Sequence, residues 1–142
     1  MIPMWLAGAS VAAVAVAVVG AASAQGVAQT APAQKAAIDW LALVDAGNYD
    51  RSWDRAAGYF RRAVARNKWD RTIAAVREPL GALESRKLKS AVSKKQLPGA
   101  PDGDYVVIQY RSRFAHKAEA IETVTAMRES DGSWKMAGYF VK

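Results

Sequence analysis

The chain has 142 residues, 51% hydrophobic and 23% charged, with a net charge of +7 and no cysteine. That size and composition suit one globular domain, and the missing thiols exclude disulfide staples and thiolate metal sites. All 20 Lys and Arg and all 13 Asp and Glu lie beyond Gln34, so the whole excess of positive charge belongs to the C-terminal part and favours anionic partners.

Residues 2–24 carry no charge, and residues 4–20 are almost continuous Ala, Val, Leu and Gly. The run closes on Ala22-Ser23-Ala24, the small-residue pattern that signal peptidase accepts, so residues 1–24 are expected to be a signal peptide cleaved before Gln25. The alternative is an uncleaved membrane anchor, because roughly 20 apolar residues suffice to span a bilayer. Export places the protein in the periplasm or outside the cell. It also argues against nucleic acid as the anionic partner and in favour of lipid headgroups, lipopolysaccharide or acidic glycans.

Residues 25–34 (Ala, Gln, Gly, Thr and Pro with one Val) lack periodicity and read as a disordered linker before a single domain over residues 35–142. A helix is then expected, with Ile38, Leu41 and Val44 at helical spacing and Trp40 on the same side. Ala46-Gly47-Asn48 stops it. A second helix starts near Asp50, with Trp53, Ala57 and Phe60 on one face. A third covers residues 68–78 with Trp69, Ile73 and Val76 as its apolar stripe, and Pro79 ends it.

From there the apolar period changes from 3.6 to 2. Residues 83–96 read as a basic strand in which Leu88, Ser90 and Val92 alternate against Lys87, Lys89 and Ala91. Residues 97–103 (LPGAPDG) form a loop; they lack the glycine spacing and following helix of a phosphate-binding loop. Residues 105–114 alternate most cleanly, with Val106, Ile108, Tyr110 and Phe114 opposed to Gln109, Arg111 and Arg113. Residues 119–129 are a third strand and Ser130-Asp131-Gly132-Ser133 a tight turn. Residues 134–141 are a fourth strand, with Trp134, Met136 and Phe140 on one side. Helices followed by strands give an α+β fold, with the N-terminal helices packed on a four-stranded antiparallel meander.

The stretches WLALVDAGNYDRSWDRAA (40–57), REPLG (77–81), LPGAPDGDYVVIQY (97–110), ETVTAMRESDGSW (122–134) and AGYFVK (137–142) together resemble a bacterial family catalogued as domain of unknown function 4019. The resemblance implies a small exported protein with no established activity. The order of elements is also similar to the cystatin-like and nuclear-transport-factor-like cone folds, a likeness of fold that carries no function with it.

Four tryptophans follow the leader (Trp40, Trp53, Trp69, Trp134). With Tyr110, Phe114, Tyr139 and Phe140 they form either a core or the lining of a pocket for a small apolar or sugar ligand. Glu122 lies mid-strand between Ala120 and Val124. An inward Glu122 needs a cationic partner, for which Arg77 and Arg86 are the candidates, or it is the cavity base of a cone-fold isomerase or hydrolase. His116, the single histidine, has no second ligand near it in sequence, and neither a metal nor a cofactor is expected. Tyr110, Phe114, Glu122, Arg77 and Trp134 are therefore the candidate ligand-binding residues, with no catalytic motif among them. The leading expectation is a non-enzymatic exported module for a small apolar ligand or an acidic envelope surface; a cone-fold enzyme is the alternative. Lys87, Lys89, Lys94 and Lys95, with Arg111 and Arg113, are expected to merge into a basic stripe on the sheet face away from the helices, which either binds a polyanion or only keeps that face soluble and unstacked. A third possibility is dimerisation through that open face, which the two arginines oppose.

Overall fold

A computed structural model describes residues 15–142, with side chains from Gly26 onward except Val27 and Ala28. The expected signal peptide therefore lies largely outside the described residues. Four helices, α1 (Ala15–Asp45), α2 (Tyr49–Asp54), α3 (Gly58–Ala63) and α4 (Arg66–Arg77), precede a single 3-10 turn (Glu78–Leu80). Four strands follow: β1 (Leu83–Lys94), β2 (Tyr105–Phe114), β3 (Lys117–Arg128) and β4 (Trp134–Val141). They pair antiparallel in the order β1-β2-β3-β4, the meander that the alternation implied.

The stretch expected to be a linker, residues 25–34, is part of α1, Pro32 included. An interior proline costs a helix about 3 kcal/mol. Here burial outweighs that cost, because Thr30, Ala33, Ala37, Trp40, Leu41 and Val44 all turn inward on one stripe. Alanines at positions 33 and 37 give that stripe a narrow surface. Ile38, expected on it, sits one position beyond Ala37 and is 46% exposed. The second helix is also not continuous: it breaks at Ala57, whose amide donates to the Met136 carbonyl (2.8 Å), while Gly58 N–H donates to Glu129 Oε1 (2.9 Å). Those two bonds tie the α2–α3 joint to the β3–β4 end of the sheet. On α4, Trp69 and Ile73 are buried as expected, whereas Val76 stays partly exposed.

Trp40 and Trp69 are core members, and Trp53 and Trp134 pack partly buried against that core. Trp40 lies 6.0 Å from Trp69 and 5.9 Å from Tyr139, centroid to centroid, and Phe60 meets Trp69 edge-on at 5.1 Å. Three indole N–H groups find acceptors: Trp40 on Ser52 O (2.8 Å), Trp69 on Ser52 Oγ (2.9 Å) and Trp53 on Val64 O (2.7 Å). Ser52 is thus the polar hub joining α1, α2 and α4.

Of the register shifts in the sheet, one in β1 and one in β4 change which side chains face the helices. In β1 a shift between Leu88 and Ser90 places Leu88 opposite Tyr110 but Val92 opposite Val107, so Val92 faces outward while Ala91 packs on the core. In β4 the shift beside Thr125 leaves Ala137 unpaired. Met136 then faces inward opposite Ala126, Tyr139 inward opposite Val124, and Phe140 outward opposite Thr123. An extra residue on one strand of a pair reverses the face of everything after it, which a period-2 reading cannot register.

Candidate functional site

Glu122 on β3 is completely buried. Its Oε1 accepts from Arg86 Nε (2.7 Å) and from the Ser112 hydroxyl, and its Oε2 accepts from Arg86 Nη2 (3.0 Å) and from Tyr139 Oη (2.5 Å). The sheet register makes this possible: Arg86 pairs with Ser112, and Glu122 pairs with Tyr110 on the adjacent strand, all on the face toward the helices. Arg86 continues to Asp45 at the C-terminus of α1, with Nη1 on Oδ2 (2.8 Å) and Nη2 on Oδ1 (2.9 Å). Arg77 from α4 adds Nη2 to Asp45 Oδ1 at 2.8 Å. A chain Arg77–Asp45–Arg86–Glu122 therefore crosslinks α4, α1, β1 and β3. An acid at a helix C-terminus opposes the helix dipole, and the two guanidiniums offset that cost at Asp45.

The electrostatics follow from these contacts. Burial alone pushes the Glu122 carboxyl up, but Arg86, Ser112 and Tyr139 together hold it below its usual range. Asp45 is likewise raised by burial and held down overall by Arg86 and Arg77. Burial and then Glu122 raise the Tyr139 phenol. Burial pushes the Tyr110 phenol up to about 12, Arg86 opposing and Glu122 adding. A general base needs a pKa near the working pH and access to a proton. Glu122 has neither, since four donors occupy its oxygens and its charge is stabilised. The contacts made by Glu122 are those of a structural tie.

Of the candidate ligand-binding residues, the fold brings four together. The Arg77 guanidinium lies 4.9 Å over the Phe114 ring, and Arg86 lies 6.0 Å over Tyr110, beside Glu122. Arg77 and Glu122 meet only through Asp45 and Arg86. Trp134 is elsewhere, at the opposite end of β4 from Val141, the partner of Glu122. It borders a separate 210 Å³ cleft with Trp40, Leu43, Asp39 and Arg55. Asp45 and Ser112 escaped the sequence reading. For Ser112 a signal existed: it falls at the inward period between Tyr110 and Phe114, a polar residue on an apolar face. For Asp45 none existed, because its partners lie 32 and 41 residues away.

A second site lies on the outer face of the sheet. A groove of 710 Å³ is bordered by Ser85, Lys87, Arg111, Arg113, Glu119, Ile121 and Lys142. Lys87 pairs with Arg111, Arg111 with Ile121, and Ile121 exchanges two backbone bonds with Lys142, so one row crosses the sheet carrying three cations. Arg113 stands one row away, opposite Ser85. The expected stripe is thus shorter than the sequence suggested. Lys94 sits at the far end opposite Tyr105, Lys95 is paired with Asp104, and Lys89 falls at the β1 register shift. His116 is exposed, in the β2–β3 turn against Gly81. Among the described residues no His, Cys, Asp and Glu grouping could hold a metal ion, and no helix is long and apolar enough to cross a membrane.

A family profile described as "Protein of unknown function (DUF4019)" matches residues 36–139. No curated protein matches the chain.

Proposed function

The chain belongs to this family of unknown function, and we propose that within it the protein is an exported, non-enzymatic module whose outer sheet face binds an acidic envelope surface. One observation carries the reading. Lys87, Arg111, Arg113 and Lys142 are gathered on one groove whose lining includes a single acid, Glu119, and none of the four belongs to an ion pair among the described residues. Like charges in neighbouring rows of a sheet repel, and a polyanion relieves that repulsion. The face toward the helices is largely filled by the aromatic core and the buried ion chain, and the 210 Å³ cleft beside Trp40 and Trp134 is much smaller than the outer groove. Saturation of Glu122 likewise weighs against the enzyme alternative.

The test is retention on immobilised heparin, a soluble polyanion, at rising salt. Electrostatic binding fades as the Debye length shrinks from about 10 Å at 0.1 M to about 3 Å at 1 M. The Lys87→Glu/Arg111→Glu variant should elute at markedly lower salt. Elution of both proteins without retention at low salt would refute the reading. Export rests on the leader composition. N-terminal sequencing of protein recovered from the envelope should begin at Gln25, and a membrane-bound chain retaining Met1 would favour the anchor instead.

A further inference from the structure

Beyond the cationic row, the outer face changes character. The next rows across the sheet are Ser90–Gln109–Thr123–Phe140 and Val92–Val107–Thr125–Gly138, and neither contains a charge. Polar side chains of the first row bond one another: Ser90 meets Gln109 at 3.5 Å, and Gln109 donates to Thr123 at 3.2 Å. Two of the rows' apolar side chains, at the two edges of the sheet, stand free. Phe140 is 52% and Val92 46% exposed, among the most exposed large hydrophobic residues described. Both reach this face only because of the register shifts in β1 and β4.

We infer that the acidic surface this module engages is a lipid bilayer, with the Lys87–Arg111–Lys142 row on anionic headgroups and Phe140 and Val92 entering the interface beside it. The inference rests on the polyanion reading and adds the apolar component to it. Cations next to uncharged, aromatic-bearing rows are what an interfacial surface needs: charge attracts the anionic leaflet, and apolar area holds it there. A soluble acidic glycan would use the cations and leave Phe140 and Val92 in water. A second copy of this chain fits less well, because the uncharged rows carry no carboxylate to meet a copy's cations, and Glu119 alone borders the groove with negative charge.

The experiment compares sedimentation with phosphatidylcholine vesicles, with phosphatidylcholine–phosphatidylglycerol vesicles, and retention on heparin, for the mature chain beginning at Gln25 and for the same chain carrying Phe140→Ser/Val92→Ser. Both substituted residues are exposed, and matching thermal melts establish that the variant folds. The expected result is wild-type binding to the anionic vesicles only, a loss of about tenfold or more in the variant's partitioning, and unchanged heparin retention. Equal vesicle binding by variant and wild type overturns the bilayer inference. Heparin retention without vesicle binding also overturns it while leaving the polyanion reading standing. Absence of both at low salt overturns the two together, and concentration-dependent dimerisation lost in the variant assigns the face to a second copy.

Discussion

Replacing Glu122 with alanine removes the acceptor of four hydrogen bonds from a completely buried position. Three consequences add. The hydroxyls of Ser112 and Tyr139 lose their partner, a cavity opens, and Arg86, only 9% exposed at its side chain, keeps Asp45 as its sole counter-charge. Breaking a buried pair costs about 3–5 kcal/mol. The surviving Asp45 contact places Glu122→Ala near the lower end of that range. Arg86→Met should cost at least as much, since it strands Glu122 with hydroxyl donors alone. Glu122→Gln keeps the volume and one acceptor oxygen and should cost about 2 kcal/mol. Urea melts read these values from the midpoint at constant slope. The paired replacement Arg86→Met/Glu122→Leu should recover much of the loss, because an apolar pair carries no desolvation penalty. A Glu122→Ala midpoint within about 0.5 kcal/mol of wild type, the range of ordinary surface sites, would refute the network as a source of stability.

Acid should unfold the protein through the same groups. Glu122 and Asp45 ionise more readily folded than unfolded, so their contribution is complete above about pH 4.3 and is lost as pH falls through their lower folded values; Glu122→Gln should flatten that part of a stability-versus-pH curve. Gly81 adopts φ 74°, and a Cβ there would sit 2.7 Å from His116 Cδ2. Gly81→Ala should therefore destabilise by about 1–2 kcal/mol in thermal melts, whereas Gly47→Ala, equally left-handed at φ 77° but with open space around it, should cost less. Ser52→Ala removes the acceptor of the buried Trp69 N–H and should cost about 1–3 kcal/mol, with a change in tryptophan fluorescence as a second readout.

Local pattern alone was enough for the α+β class, the meander and the inward set Val106, Ile108, Tyr110 and Phe114 on β2, because a regular strand projects its period directly onto its two faces. The family resemblance rested on contiguous stretches and was equally legible. Tertiary structure decided the rest. Residues 25–34 are helical because Thr30 and Ala33 find a core to bury against, which no local propensity encodes. Val92 and Phe140 face outward because one extra residue upstream of each reverses the alternation, and only the partner strand defines where that residue is extra. The sequence marked Glu122 as an acid in need of a cation. That Arg86 meets it directly, and Arg77 only through Asp45, depends on the register of β1 against β2 and on where α1 ends over the sheet. Those are distances between segments far apart in the chain, fixed by packing rather than by any one segment's composition.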